Sequence, residues 1–224
     1  MPDDTATTPN GSVIEVDIVS DVMCPWCIIG FRQLEQALGA TNTGARIRWH
    51  PFELNPAMGP DGQNLSEHIS QKYGASPEQS AQNRAHMETL GHSLGITFAF
   101  GPDSRIVNSF GAHQLLDFAL SQGAQHPLKL ALFQAHFTDG KDVSNTATLL
   151  DIAESVGLDR NAAAQVLESG ALAASVREKQ KFWTDRGISG VPSMVFGGKY
   201  LVTGAQGAKN YAELLNKVVS EQAA

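Results

Sequence analysis

The two cysteines of this 224-residue chain are separated by two residues, in the segment Cys24-Pro25-Trp26-Cys27. A CxxC pair where a strand passes into a helix is typical of reversible thiol–disulfide chemistry. Free N–H groups at a helix start stabilise a thiolate, so we expect Cys24 to have a depressed pKa and to be the attacking thiolate. Cys27, about one turn later, is expected to be buried and to resolve the mixed disulfide. Pro25 suits the helix start, and Trp26 is expected to shield the pair from solvent.

Two other uses of the cysteine pair fit the sequence less well. A permanent disulfide is rare in a reducing compartment. A structural zinc ion takes about four ligands, so two cysteines would have to recruit histidines. The 7 histidines form no HxxxH or HxxC pair, and the sequence therefore predicts no metal site.

Two acidic residues precede the cysteines, Asp17 and Asp21. A carboxylate whose pKa is raised by burial could accept the proton of Cys27 during exchange. Asp21, three residues before Cys24, could instead cap the approach to the helix. The sequence leaves both interpretations open.

The second candidate segment is Gly190-Val191-Pro192-Ser193. A cis Val191–Pro192 bond would expose the Val191 backbone for pairing with an incoming polypeptide or glutathione beside Cys24. Most X–Pro bonds are trans, so the sequence alone leaves the isomer open.

Strand and helix patterns alternate around the cysteines. β-branched residues predict a strand over residues 13–19, and helically spaced apolar residues predict a helix from Pro25 to Leu38, stopped by Gly39. Alternation over residues 46–52 predicts a second strand, in which Pro51 indicates an end or an edge position. Strand, helix and strand form a βαβ unit with a right-handed crossover.

The middle of the chain, residues 64–186, has helical patterns. Ser76-Pro77-Glu78-Gln79 predicts an N-cap, a first-turn proline and a capping box for a helix reaching Leu94. Five further helices are predicted, at residues 109–122, 127–138, 146–156, 161–167 and 171–186. Because no strand pattern separates them, the sequence predicts a helical domain.

The sheet pattern returns near the C-terminus. Residues 193–196 and 200–203, joined by Gly197-Gly198, predict a hairpin, and an amphipathic helix follows over residues 208–219. The simplest arrangement is one α/β domain, residues 13–63 and 187–224, interrupted by a helical insertion of residues 64–186. Residues 1–12 are interpreted as a disordered tail.

Composition limits the function. Hydrophobic residues make up 42% of the chain, which is enough for a sizeable core. A net charge of −7 argues against binding to nucleic acid or anionic membranes, and no apolar stretch approaches the ~20 residues that span a bilayer. The acidic N-terminus differs from a signal peptide, so we expect a soluble cytoplasmic protein; a processed precursor would look the same.

The segment Asp21-Val22-Met23-Cys24-Pro25-Trp26-Cys27-Ile28-Ile29-Gly30 resembles the active site of the FrnE-like branch of the DsbA family, within the thioredoxin-like fold. Residues 137–144, and Gly190-Val191-Pro192 followed by Gly204-Ala205-Gln206, resemble the same branch. The resemblance extends from Val13 to about Val219. It implies an α/β thioredoxin-like fold with an inserted all-helical domain covering the site, Cys24 as nucleophile, Cys27 as resolving thiol and Pro192 as a cis-proline.

The same superfamily includes kappa-class glutathione transferases and 2-hydroxychromene-2-carboxylate isomerases, which use glutathione. Those enzymes characteristically have Ser where this chain has Cys24, so two cysteines favour dithiol redox chemistry. The resemblance also implies that Asn55, Asn108 and His113 line a groove between the domains. A helix cap or a satisfied interior polar group explains these three residues equally well.

Three functions remain open. The first is a thiol–disulfide oxidoreductase acting on protein or small-molecule disulfides, with no permanently bound cofactor and with glutathione as a candidate co-substrate. The second is a glutathione-dependent isomerase or transferase in which Cys24 orients glutathione. The third is a non-catalytic module whose CxxC pair senses redox state. Monomer and homodimer are both consistent with the sequence.

Overall fold

The computed structural model describes residues 13–222, so the expected tail at residues 1–12 lies outside the described residues. The strands are β1 (Val13–Ser20), β2 (Gly44–Pro51), β3 (Gln63–Asn64), β4 (Arg105–Ile106), β5 (Ser193–Phe196) and β6 (Tyr200–Thr203). The helices are α1 (Pro25–Thr41), α2 (Leu65–Tyr73), α3 (Pro77–Ser93), α4 (Phe110–Ser121), α5 (Gln125–Phe133), α6 (Thr146–Ser155), α7 (Arg160–Ser169), α8 (Ala173–Thr184) and α9 (Ala208–Gln222). A π-helical turn, Gln134–Thr138, continues α5.

A four-stranded sheet in the order β2-β1-β5-β6 brings the two candidate segments together. β1 is parallel to β2 and antiparallel to β5, with Val19 opposite Ser193. The end of β1 therefore lies beside the start of β5. The Cys24 segment, which follows β1, and Pro192, which precedes β5, therefore meet at the same end of these two central strands.

The expected βαβ unit and the C-terminal hairpin are confirmed, and the hairpin strands have the predicted bounds. β2 ends at Pro51 and is an edge strand, as its proline indicates. The predicted helix stop at Gly39 is wrong, because α1 continues to Thr41. Asn42 ends the helix in the left-handed region, with a φ of 53°, and its N–H donates to the Gly39 carbonyl. Asn tolerates this conformation better than most residues, which is why no glycine is needed there.

The middle of the chain is mainly helical, and the capping box is present. The Ser76 hydroxyl accepts from Gln79 N–H, and the Gln79 side chain accepts from Ser76 N–H. Two expectations are wrong here: the helix predicted over residues 127–138 is α5 followed by the π-helical turn, and β3 pairs with β4 inside the insertion. Strands of two residues are too short to produce an alternating pattern.

Within residues 13–222, buried apolar side chains form two clusters. The first lies around the sheet, α1 and α9, and it also includes Phe133 and Phe137 from the middle of the chain. The second lies among the insertion helices, and it includes Val22 and Met23, which directly precede Cys24. Each cluster therefore contains residues from the other segment. The domain bounds expected from the sequence remain a prediction.

The helices α2 and α3 are only shallowly buried. α2 contains no buried residue, and α3 buries only Ser80 and Gly91. A Cβ at Gly91 would lie 2.5 Å from the ring of Phe98, so a glycine is required for this contact. Among the described residues, no helix is long and apolar enough to cross a membrane.

Candidate active site

The helix start positions the two cysteines. Cys24 is the N-cap residue of α1, and Pro25 is the first helical residue, whose missing N–H costs nothing there. Cys27 N–H donates to the Cys24 carbonyl at 3.0 Å, so the two residues lie on the first turn. Both are free thiols, with Cys24 3% and Cys27 0% exposed. Cys24 lines a groove that Cys27 does not reach, which makes Cys24 the thiol that a substrate meets.

The Val191–Pro192 segment lies directly beside Cys24. Its peptide bond is cis, and the Cys24 thiol donates to the Val191 carbonyl with Sγ and O 3.6 Å apart. The Ser193 hydroxyl donates to the Gly190 carbonyl at 2.8 Å. The segment is thus held by its own hydrogen bonds next to the thiol.

Helix α1 approaches Pro192 closely, because position 30 has no side chain. A Cβ at Gly30 would lie 3.2 Å from Cγ of Pro192, which is tighter than ordinary van der Waals contact. The following loop is fixed as well: Gly204 N–H donates to the Pro192 carbonyl at 2.7 Å, and the Tyr211 hydroxyl donates to the Gly204 carbonyl at 3.0 Å. The geometry around Cys24 is therefore set by packing of α1, β5 and α9.

The charge distribution between the thiols differs from the expectation. The pKa of Cys24 is raised well above its ordinary value, first by its hydrogen bond to Cys27 and then by burial. Burial also opposes ionisation of Cys27, but the hydrogen bond from Cys24 and the positive charge of Lys129 outweigh it, so the pKa of Cys27 is lowered. The depressed pKa predicted for Cys24 is therefore wrong. Ionisation of one sulfur opposes ionisation of the other, so the two thiols titrate as a pair in which Cys27 ionises more readily than Cys24.

Asp21 is fully buried, and its carboxylate accepts from the backbone. Met23 N–H donates to Oδ1 at 3.1 Å and Leu54 N–H donates to Oδ2 at 2.7 Å, while His113 Nε2 lies 3.5 Å from Oδ1. Burial, the largest influence, raises the pKa of Asp21, but the contact with His113 and the two N–H groups outweigh it, so the pKa is lowered. Asp21 thus supports the loop before Cys24, and it lacks the raised pKa expected of a proton acceptor.

Asp17 also lacks a raised pKa. His50 Nε2 lies 2.7 Å from its Oδ1, between the neighbouring strands β1 and β2. This hydrogen bond is the main cause that lowers the pKa of Asp17. The hypothesis that burial prepares one of the two carboxylates to accept the Cys27 proton is therefore not supported at either position.

The groove at Cys24 has a volume of about 750 Å³. Cys24, Trp26 and Val191 line it together with residues of α2 and α3. Trp26 is 38% exposed and its ring lies 6.4 Å from that of His86, so it covers the cysteines while facing the groove. Aromatic and cationic side chains complete the lining, among them Phe100, Phe137, Arg84, Arg105 and Lys141.

The three groove candidates lie in different places. Asn55 lines the groove, and its Oδ1 accepts from Lys72 Nζ at 2.7 Å. Asn108 is outside the lining: its amide donates to the Met58 carbonyl and accepts from Phe110 N–H at the start of α4, as a helix cap would. His113 contacts Asp21 and lines a second cavity instead.

Sequence reasoning missed Lys129, a charged residue that is only 1% exposed. Its Nζ lies 5.3 Å from the ring centre of Trp49 and 4.7 Å from that of Phe133. The one trace in the sequence is its position in the mainly apolar segment from Leu128 to Phe133. Such a pattern is far more common for a surface lysine, so burial could not be inferred from it.

Comparisons with known proteins agree with this geometry. The crystal structure of a probable DsbA oxidoreductase from Streptomyces coelicolor has a TM-score of 0.87 and 30% identity, over 93% of this chain and 91% of that chain. The cytosolic disulfide reductase DsbM from Pseudomonas aeruginosa, solved with GSH, has a TM-score of 0.63 and 15% identity, over 92% and 99%. The uncharacterized protein YwbO of Bacillus subtilis is 23% identical over 210 residues, 93% of this chain and 97% of that protein.

The branch within the family is not distinguished by these comparisons, so the FrnE-like assignment stays a prediction. The family model of the DsbA-like thioredoxin domain matches residues 15–216, a range that contains both cysteines and the Val191–Pro192 segment. With nearly its whole length matched, the chain belongs to the DsbA-like thioredoxin domain family.

Proposed function

We propose that this protein is a thiol–disulfide oxidoreductase that uses Cys24 and Cys27 as its dithiol. The observation that carries the proposal is the position of Cys24: its thiol lines a groove beside the Val191 carbonyl, with Cys27 buried one turn further along α1. A static or sensing pair would not need a groove at one sulfur. The family membership and the oxidoreductases among its structural neighbours support the same activity.

The proposed reaction is thiol–disulfide exchange, in which the two sulfurs act in turn. When the proton moves from Cys24 to Cys27, the Cys24 thiolate attacks one sulfur of a substrate disulfide, and the other sulfur leaves as a thiolate that takes up a proton. Cys27 then loses its proton and attacks Cys24 Sγ. The mixed disulfide breaks, the second substrate thiolate leaves, and the Cys24–Cys27 disulfide forms. Two electrons pass from the dithiol to the substrate, and the reverse sequence oxidises a dithiol.

We propose small-molecule disulfides that carry negative charge as the favoured substrates. The groove is enclosed by α2 and α3 and has a volume of about 750 Å³, which suits a compact molecule better than a folded protein. Arg84, Arg105 and Lys141 in its lining attract carboxylates, and they outnumber the two acidic residues there, Asp103 and Asp142. Glutathione disulfide has both properties, and the DsbM structure with GSH supports glutathione as a co-substrate. Cytoplasmic location, where glutathione is abundant, is part of this proposal.

The test is a single-turnover reaction of the reduced protein with glutathione disulfide, followed by mass spectrometry. Wild type should form the Cys24–Cys27 disulfide and release two glutathione molecules. Cys27→Ser should stop at a glutathione adduct on Cys24, because the resolving thiol is missing. Cys24→Ser should react at least a hundredfold more slowly, because Cys27 does not reach the groove.

Insulin with its disulfides intact serves as the model protein substrate for comparison in the same assay. Faster reaction with insulin than with glutathione disulfide would replace the substrate class by protein disulfides. Wild-type rates in both serine variants would contradict the oxidoreductase itself. Glutathione that binds without forming any disulfide would favour the isomerase or transferase alternative.

A further inference from the structure

Lys129 is a charged group buried beside the dithiol without a carboxylate partner. Within residues 13–222 its ammonium forms no ion pair; it lies over the rings of Trp49 and Phe133 and interacts over longer range with Cys27, Asp21 and Cys24. Burying an ammonium is strongly unfavourable unless an opposite charge compensates it. Cation–π contacts return only part of that cost. The buried carboxylate of Asp21 and the Cys27 thiolate are the negative charges that can compensate the ammonium, and the influence of Cys27 is the larger of the two.

The position of Lys129 is fixed by the docking of α5 against the edge of the sheet. The side-chain amide of Gln125 donates to the Trp49 carbonyl at 2.9 Å and accepts from Trp49 N–H at 3.0 Å. Trp49 Nε1 donates to His126 Nδ1 at 3.0 Å. Lys129 follows Gln125 by four residues and therefore lies on the same face of α5. Three hydrogen bonds to one tryptophan thus hold the helix turn that carries the ammonium.

The mutual influence of the lysine and the thiols is visible from both sides. Burial lowers the pKa of Lys129 to about 8, and the negative charge of Cys27 is the largest influence that opposes this shift. The charge of Lys129 in turn lowers the pKa of Cys27. Each group therefore stabilises the ionised form of the other.

We propose that Lys129 is a positioning residue for the dithiol: its ammonium is the fixed positive charge that stabilises the Cys27 thiolate when this thiolate attacks the mixed disulfide on Cys24. The proposal deepens the proposed function and rests on it. In the attack, the bond between the two sulfurs of the dithiol forms, and the bond between Cys24 and the substrate sulfur breaks. The leaving thiolate carries the negative charge away and takes up a proton, while Lys129 keeps its proton throughout.

Lys129 also lines a second cavity, with a volume of about 590 Å³, which shares no lining residue with the groove. The titratable and charged groups that share this cavity are His113 and Asp117 on α4, Arg48 and His50 on β2, and Glu178 and Lys179 on α8. Lys179 forms an ion pair with Asp117, so its charge is compensated locally.

The test compares the thiolate absorbance of reduced wild type, Lys129→Met and Lys179→Met as a function of pH. Loss of the buried charge should raise the first thiol pKa of Lys129→Met by one unit or more. At a pH below the wild-type thiol pKa, this shift lowers the thiolate population about tenfold. Lys179→Met, the matched control on the same cavity, should titrate like wild type. Lys129→Arg keeps the positive charge, so its first thiol pKa should lie close to that of wild type. A wild-type thiol titration in Lys129→Met overturns the proposal.

Wild-type protein provides a second measurement in case the methionine variant does not fold. The Lys129 side chain is followed by NMR through a 13C label at Cε, in the reduced and the disulfide form. Formation of the disulfide removes the thiolate, so the ammonium should titrate at lower pH in the oxidised form. Equal titration in both forms overturns the proposal. Neither measurement needs turnover. A negative result here would contradict the role of Lys129 alone, whereas a failed reaction with glutathione disulfide would contradict the proposed function.

Discussion

At the residue scale, Asp21 links the loop before Cys24 to the end of β2. Its two oxygens accept from Met23 N–H and Leu54 N–H, and both of these residues line the groove. A carboxylate can satisfy both donors, whereas an amide has one acceptor oxygen and one donor group. The charge at this position is therefore needed for the local hydrogen bonds, independently of any proton transfer.

We predict that Asp21→Asn lowers the free energy of unfolding by about 2 kcal/mol at pH 7, because one buried N–H loses its acceptor. The folded-state pKa of Asp21 lies below its ordinary value of 3.8. Its stabilisation is therefore fully present above that ordinary value and is lost as the pH falls through the lowered one. Urea unfolding of both proteins between pH 7 and pH 2 should show a difference that is largest at neutral pH and closes in acid.

Asp139→Asn is the control, since Asp139 is a partly exposed residue near Lys141. Its unfolding free energy should stay within a few tenths of a kcal/mol of wild type at every pH. A difference between Asp21→Asn and wild type that grows in acid would contradict the lowered pKa.

At the element scale, the contact between α5 and β2 covers an otherwise open edge of the sheet. β2 is an edge strand, and the Gln125 amide pairs with both the N–H and the C=O of Trp49 as a neighbouring strand would. At Trp49 the strand edge is therefore closed to pairing with another chain, which is one way in which sheets avoid aggregation. The same contact fixes the position of Lys129 relative to the dithiol.

We predict that Gln125→Ala destabilises the protein by about 2–3 kcal/mol, because two buried backbone groups of Trp49 lose their partners together. The midpoint of urea unfolding measures this effect. The matched control is Gln122→Ala, an exposed residue that ends α4. Equal midpoints for both variants would show that water replaces the Gln125 amide at the strand edge.

Local patterns predicted those elements whose signals are contained within a few residues. The hairpin around Gly197-Gly198 and the capping box at Ser76 are of this kind, and both are confirmed. The end of α1 was mispredicted, since both Gly39 and Asn42 can end a helix and only the packed chain selects between them. Lys129 could not be recognised at all, because its burial depends on Trp49, 80 positions earlier in the chain.

At the scale of the whole molecule, the two apolar clusters are joined at the active site. Val22 and Met23 belong to the insertion cluster, while Cys24 and Cys27, directly after them, belong to the sheet cluster. Conversely, Phe133 and Phe137 come from the insertion but belong to the sheet cluster. Loss of one cluster therefore removes contacts from the other, which favours unfolding as one cooperative unit.

We predict that Leu115→Ala, in the fully buried part of the insertion cluster, costs about 2–5 kcal/mol and shifts unfolding of the whole chain. Two probes measure this: far-UV circular dichroism for the helices, and thiol labelling of Cys27 in a Cys24→Ser background for the sheet cluster. The two midpoints should coincide and should move together in the alanine variant.

Leu120→Ala is the control, because Leu120 is a large apolar residue that is exposed on α4. It should change the midpoints by less than about 0.5 kcal/mol. A helix signal that melts before Cys27 becomes accessible would show that the insertion is an independent folding unit.

The shallow packing of α2 and α3 has a consequence for which molecules reach Cys24. These helices form the outer wall of the groove, yet they bury only Ser80 and Gly91. Segments with few buried contacts open locally at much lower free energy than the sheet does. Compact disulfides should therefore enter the groove without any movement of α2 and α3. Bulkier disulfides should react only while these helices are displaced, at a rate proportional to the population of that open state.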